Sequence, residues 1–255
     1  LDARVALPRR PGPLWELAVL FNGMLDRIES LMAGLRESLD HLAHDLRTPL
    51  TRVCVRVERA LQHESEPERL RETLSDCLED VREVLAMLDA LLDLAEAESG
   101  SLRLEREAVP LDEVLARVLE LYEFVAEDRH VTLHTELEPG LRVCADRARL
   151  RQILANLVDN AIKYSRPEGG EVRIRARRDG ERVVIEVRDR GLGIRAEDLP
   201  RIWERLYRAD RSRSERGLGL GLSLVRALVT ALGGDVEVES EVGRGTTFRL
   251  RLPAA

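Results

Sequence analysis

The sequence predicts an α+β chain in two parts, a long helical hairpin followed by a two-layer α/β sandwich. Three observations carry this. Through the first hundred residues, apolar side chains recur every three or four positions with one polar interruption. Beyond Gly100, alternating strand-like runs appear between helical ones. Aromatic residues make up only 3% of the chain against 44% apolar, so its cores must be aliphatic, mostly Leu and Val. The 255 residues are long for one small domain and comfortable for two.

The balance of charge narrows the partners. A formal net charge of −7 argues against bulk nucleic-acid binding. Cys54, Cys77 and Cys144 are far apart and lack metal-ligand spacing. They read as small buried hydrophobes in a reducing compartment. No run approaches 18 apolar residues, so this stretch is expected to hold no membrane span and no signal peptide. The opening LDARVALPRRPGP carries no starting Met and reads as a fragment cut from something longer.

Residues 1–13 are rich in Pro and Arg and are expected to be irregular. A helical pattern starts near Leu14 and steps through Leu17, Leu20, Met24, Ile28, Leu31, Leu35, Leu39 and Leu42. It passes Pro49, where a bend is expected, and continues through Leu50, Val53, Val57 and Leu61. HESEP at 63–67 contains no apolar residue and ends on a proline suited to a helix start. A second helix is predicted at about 68–98, stopping at Ser99-Gly100. Two long helices with a short loop form an antiparallel hairpin. Their apolar stripes are too broad for one partner, so a second hairpin is expected to complete a four-helix bundle in a homodimer.

In the second part, helices are predicted at 111–127, at 147–165 behind the cap Asp146, and at 217–232. Strands are predicted near 130–136, 141–144, 171–178, 182–189, 235–240 and 246–253. Asp179-Gly180 between two of them signals a type I′ hairpin.

Five stretches carry residue types that do chemistry. HLAHDLRTPL at 41–50 places His44 and Thr48 one helical turn apart, with Asp45 beside the histidine and a bend at Pro49. Read alone, it fits a solvated helix as well as a reactive site, and His41 reads as a plain surface or bundle histidine. NLVDNAIKYS at 156–165 puts Asn156 and Asn160 on one face, with Lys163 and Tyr164 close by. Such a face suits a hydrated magnesium and phosphate oxygens, and equally an ordinary amphipathic helix. DRGLGI at 189–194 ends a strand in Asp189, and Gly191 and Gly193 permit a tight turn and close approach to a ligand. RGLGLGLSLV at 216–225 alternates Gly217, Gly219 and Gly221 ahead of a helix, as a phosphate site does, without the spacing of a Walker or dinucleotide motif. Between the last two, 195–216 holds seven arginines and ends without periodicity. It suits a mobile nucleotide lid or a solvated loop. GRGTTF at 243–248 turns into the last strand, with no role near a ligand assigned.

Taken together these stretches resemble the cytoplasmic core of bacterial sensor histidine kinases, the transmitters of two-component systems. HDLRTPL is similar to the family's phosphoacceptor box, NLVDNAIKYS to its asparagine box, and DRGLGI and RGLGLGL to its glycine boxes. IWERLYRADRSRS at 202–214 is similar to the phenylalanine box and ATP lid, with Trp203 in place of the usual Phe. Arg216 stands where a glycine is common. The resemblance covers 36–253, and ELAVLFNGMLDRI at 16–28 resembles the second helix of a HAMP linker whose usual preceding acidic pair is replaced by Gly12 and Pro13.

The resemblance implies a truncated HAMP-like region at 1–35 and a dimerisation and phosphotransfer hairpin at 36–99. A hinge at 100–108 and an ATP-binding domain of the histidine kinase/ATPase superfamily at 109–255 would follow. It implies His44 as the phosphorylated residue, Asp45 as its base or orienting acid, and Thr48 as the group that positions water for dephosphorylating a partner. Asn160 would ligate Mg2+ with Asn156 in support, Lys163 would contact phosphate, Tyr164 would pack near adenine, and Asp189 would bind its amino group. Gly191 and Gly193 would shape the base pocket, Gly217, Gly219 and Gly221 would serve phosphates and lid, and Arg208 and Arg213 would steady the transferring phosphoryl. ATP, a homodimer, an aspartate of a response regulator and no nucleic acid are the implied partners. The chain would be the cytoplasmic portion of a protein anchored upstream in the inner membrane. Two readings compete with an active kinase: a degenerate dimeric scaffold that binds nucleotide and transfers nothing, and an ATPase of the same superfamily that needs no acceptor histidine.

Overall fold

The computed structural model describes residues 22, 23, 25, 46–62, 66–166, 168–207 and 219–255. All of the HAMP-like stretch but residues 22, 23 and 25, together with His41, His44 and Asp45, and Arg208, Arg213 and Gly217, therefore lies outside the described residues. The chain divides into two compact units, 1–84 and 85–255, with the boundary inside a helix. Among the described residues no helix is long and apolar enough to cross a membrane.

In the first unit, α1 covers 46–62 of the described residues, and α2, Pro67–Ser99, begins after the polar break and runs into the second unit. Helix α1 continues unbroken from Leu46 through Pro49. Cross-helix ion pairs show that the two helices run antiparallel. Arg52 meets Asp80 at 2.9 Å and Glu83 at 3.0 Å. One turn on, Arg56 meets Asp80 at 2.9 Å and Asp76 at 3.6 Å. Asp80 is buried and shared by both guanidiniums, the kind of pairing a carboxylate out of water requires. Along α2, Leu74, Leu78, Val81, Leu85, Leu88 and Leu92 recur in steps of four and three and are all exposed. Leu50, Val57 and Leu61 of α1 are exposed as well.

In the second unit, a five-stranded sheet has the order β2-β4-β5-β7-β6, built from β2 Val131–Leu137, β4 Gly170–Asp179, β5 Arg182–Asp189, β7 Gly245–Pro253 and β6 Asp235–Glu241. All pairs are antiparallel except β2 with β4. That pair is parallel because α4 crosses over between them. A small antiparallel ladder joins β1, Glu107–Pro110, to β3, Arg142–Ala145. Strand β1 was not expected, because four residues ending in proline carry no readable period. Leu102 and Leu104, just before it, pack against the core.

Helices α3 Leu111–Asp128, α4 Arg147–Lys163 and α5 Gly221–Ala231 complete the second layer. Asp146 caps α4, its carboxylate accepting from the amides of Ala148 and Arg149. Alternation explains the sheet. Val172, Ile174 and Ala176 of β4 and Phe248, Leu250 and Leu252 of β7 are buried against the helices. On the opposite face Glu136, Arg175, Glu186, Arg249 and Glu237 stand in register across all five strands. Their signs alternate, so each cross-strand neighbour is an attraction. The β4–β5 turn departs from the expected type. Its central residues are Gly180 and Glu181, and only Gly180 has positive φ, at 62°, which is the type II′ pattern.

Candidate nucleotide site

Helix α4 is the spine of the site. Seven apolar residues, Leu150, Ile153, Leu154, Leu157, Val158, Ala161 and Ile162, bury one side of it. The polar residues between them are left along another side: Asn156, Asn160 and Lys163, with Tyr164 as the C-cap. From Asn156 to Tyr164 is about 12 Å along the helix axis.

At the C-terminal end of α4 the loop after β5 folds over. The carbonyl oxygen of Tyr164 accepts from the amide of Leu192 at 3.0 Å. A Cβ on Gly191 would stand 2.2 Å from that same oxygen, so only glycine fits. Gly193 has φ of 70°, and a Cβ there would meet the Glu241 carbonyl at 2.1 Å. Both glycines of DRGLGI are thus required by backbone approach.

Asp189 sits under this loop and is buried. Its Oδ1 accepts from the amides of Gly191 at 2.8 Å and Thr246 at 3.1 Å. Both bonds use one oxygen, which leaves Oδ2 to accept from a ligand. Burial pushes the Asp189 carboxyl up to about 6, against the pull of the two amides and Arg188. Thr246 belongs to GRGTTF, the stretch whose role the sequence left open. Gly245 precedes it at φ of 103°, where a Cβ would strike the Asp189 carbonyl at 2.2 Å. Ser240 ties the same corner together, donating to the Gly245 carbonyl at 3.0 Å and accepting from the Ile194 amide at 2.8 Å. The signal that could have found these residues was the glycine pair of GRGTTF, which marks backbone crowding.

Toward its N-terminal half, α4 meets the start of α5. The Asn156 amide nitrogen donates to the Gln152 carbonyl at 2.9 Å, so its Oδ1 faces away. That oxygen lies 2.8 Å from where a Gly221 Cβ would be, and the Asn160 side chain follows at 3.9 Å. A side chain at position 221 would therefore have to displace the Asn156 amide. The expected helix start at 217 is displaced to Gly221. Gly219 instead turns the chain at φ of 67°, with its carbonyl accepting from the Leu206 amide at 3.1 Å. Leu206 itself has φ of 60°, a conformation that costs about 1–2 kcal/mol for a bulky residue.

Lys163 Nζ lies 5.5 Å from the centre of the Tyr164 ring, and the Lys163 carbonyl accepts from Arg129 at 3.0 Å. Trp203 meets Phe248 edge to face at 6.0 Å, so the indole serves as a core anchor where the family has Phe. Thr48 lies in α1, in the first unit. Among the described residues no group of three His, Cys, Asp or Glu side chains could hold a metal. A cation here would rest on amide oxygen and on the phosphates of its substrate, a donor set that fits Mg2+.

Comparison with known proteins gives the family. Residues 145–255 match the family of histidine kinase-, DNA gyrase B-, and HSP90-like ATPases, and residues 35–100 match the His Kinase A (phospho-acceptor) domain. The sensor histidine kinase CusS of Escherichia coli K12 is 34% identical over 256 residues, covering 100% of this chain and 53% of CusS. The chain thus spans about half the length of that relative. Among solved structures, the histidine kinase AdeS of Acinetobacter baumannii superposes with a TM-score of 0.68 at 26% identity, over 82% of this chain and 97% of AdeS. The histidine kinase ThkA, solved in complex with the response regulator protein TrrA, superposes with a TM-score of 0.65 at 25% identity, over 89% of this chain and 64% of ThkA. With a phospho-acceptor domain followed by an ATPase-type domain, the chain belongs to the two-component sensor histidine kinases, as a transmitter core.

Proposed function

We propose that the chain is an ATP-dependent protein histidine kinase that phosphorylates His44 and passes the phosphoryl group to an aspartate of a response regulator. The observation that carries this reading is the run of contacts along α4. Asp189, a buried carboxylate with one oxygen to spare, stands at one end, and Asn156 and Asn160 face the glycine start of α5 at the other. In this reading Asp189 Oδ2 accepts from the exocyclic amine of adenine, with Gly191 and Gly193 shaping the base pocket and Tyr164 beside the ring. Lys163 meets phosphate, and the Gly217, Gly219 and Gly221 segment lets backbone amides approach it. Asn160, supported by Asn156, would hold Mg2+, which when bound neutralises phosphate charge.

His44 acts as the nucleophile. A neutral imidazole has a pKa of about 6.5 and carries a free nitrogen lone pair at neutral pH. Attack on the γ-phosphorus forms the N–P bond as the bond to the ADP oxygen breaks, and Asp45 takes up or steadies the ring proton. Arg208 and Arg213 steady the charge of the phosphoryl in transfer. Thr48, in α1, would orient the water that removes phosphate from the regulator.

The exposed heptad stripe of α2 supports a homodimer, since a second copy is the partner that would bury it as a four-helix bundle. The likeness to ThkA in complex with TrrA supports a response regulator as the phosphoryl acceptor. The likeness to the sensor histidine kinase CusS, of which this chain spans 53%, supports a longer sensor as the whole protein, and we place this core on the cytoplasmic side of a membrane-anchored one.

Labelled ATP and magnesium provide the test. The expected result is acid-labile label on the unaltered chain and none on His44→Ala. Label on neither would leave a nucleotide-binding scaffold, and steady ATP turnover unaffected by His44→Ala would leave an ATPase.

A further inference from the structure

Asp198 is the second buried aspartate near this site, and nothing in the proposed chemistry uses it. It is 5% exposed and lies on the segment that follows DRGLGI. Its Oδ1 accepts from the Tyr207 hydroxyl at 2.5 Å, and its Oδ2 accepts from Arg195 Nε at 2.8 Å. The guanidinium of Arg201 lies 4.2 Å from the Tyr207 ring centre on the way. Both oxygens thus bond side chains of its own segment.

What the bond to Tyr207 holds is more informative. Leu206 and Tyr207 are the residues that press against Gly219. The Tyr207 carbonyl lies 2.7 Å from where a Gly219 Cβ would be, and the Leu206 amide donates to the Gly219 carbonyl at 3.1 Å. Two residues on, Gly221 opens α5 against Asn156 Oδ1. A continuous set of contacts therefore runs from Asp198 through Tyr207 and Leu206 to Gly219 and the asparagine face. Leu206 holds a left-handed conformation with φ of 60°, which needs support from outside itself. The Tyr207 hydroxyl bond to a buried carboxylate is that support.

We infer that Asp198 is a positioning residue for the phosphate end of the nucleotide site, acting through Tyr207 and the Leu206–Gly219 clasp on the start of α5. This rests on the ATP reading above and adds a residue to it. The Tyr207 hydroxyl and Arg195 hold the Asp198 carboxyl below its ordinary range, so it is charged at neutral pH and its hydrogen bond is of the stronger, ionic kind. The adenine end depends on Asp189, Thr246 and Ser240 and shares none of these contacts.

The test compares binding of AMP, ADP and the non-hydrolysable ATP analogue AMPPNP to the full chain by calorimetry. Asp198→Ala is expected to weaken AMPPNP about tenfold, the scale of one charged hydrogen bond, with ADP between and AMP nearly unchanged. Tyr207→Phe should show the same graded loss. The double variant should be no worse than Asp198→Ala, since both remove one contact. Asp198→Asn, which keeps an acceptor for the hydroxyl, should recover part of it. Equal losses for AMP and AMPPNP would mean general damage to the fold and would overturn the inference. So would wild-type affinities in both single variants, or losses that multiply in the double. If the unaltered chain binds no AMPPNP, the ATP reading fails first and this inference with it.

Discussion

Leucines in the helical hairpin and in the α/β layers of this chain meet opposite fates. Leu150, Leu154 and Leu157 of α4 are fully buried, enclosed by a sheet and two further helices. Leu74, Leu78, Leu85 and Leu92 of α2 are 50–63% exposed, although their spacing is just as regular. The α/β layers close a core within one chain. A two-helix hairpin cannot, because each helix has a broad stripe and only one neighbour. The two helices of the hairpin also meet through a polar cluster, Asp80 between Arg52 and Arg56. Apolar periodicity therefore states that a face will be buried, and tertiary closure decides whether this chain or a second copy does the burying.

The largest expected effect breaks the contrast. Charging the stripe with Leu78→Glu and Leu85→Glu should convert a dimer to a monomer in sedimentation. Each buried leucine is worth roughly 1.5–3 kcal/mol, and each glutamate adds a buried charge. Nucleotide binding should survive. A dimer that persists would show that the stripe is not the seam. The complementary change, Leu154→Ala, should cost about 2–5 kcal/mol in urea unfolding of the α/β unit and leave the dimer intact.

Asp189 offers a change of intermediate size. Its carboxyl is raised from 3.8 to about 6 by burial, so the native state holds its proton more tightly than the unfolded one. That preference stabilises the fold fully below pH 4 and is lost as pH rises through 6, a difference on the order of 3 kcal/mol. Asp189→Asn removes the charge while keeping an acceptor for the Gly191 and Thr246 amides. It should raise the melting temperature at pH 7.5, have little effect at pH 4, and abolish most ATP-analogue binding. An unchanged melting temperature at both pH values would show that the carboxylate is not strained by its burial.

The smallest effect sharpens the polar side of the comparison. Arg56→Ala leaves Asp80 with Arg52 alone, and both arginines are partly exposed. A loss of about 1–2 kcal/mol is expected in thermal unfolding of the hairpin, with no change in nucleotide affinity. Loss of nucleotide binding would contradict the independence of the two sites.

Much of the site was legible because glycine and asparagine patterns report backbone demands directly. Gly191, Gly193 and Gly219 each turn out to be required by a close approach of backbone or a positive φ, and Gly221 lies against the Asn156 amide. For Thr246 and Ser240 the glycine pair of GRGTTF marked only backbone crowding, since the partner of the Thr246 amide, Asp189, lies 57 residues away. Strand β1 was missed for its shortness, and the type of the β4–β5 turn for the ambiguity of Asp-Gly. The unit boundary falls inside α2, and Leu94, Leu102 and Leu104 pack with the α/β core.

The sequence alone determined the periodic elements, because side-chain spacing of 3.6 or 2 is a local property. It also determined which residue types were available for chemistry. Only the tertiary structure decided that β2 pairs in parallel with β4, that GRGTTF closes over Asp189, and that Asn156 stands against Gly221. Those contacts join segments far apart in the chain, so they depend on how the layers close rather than on any pattern within one segment.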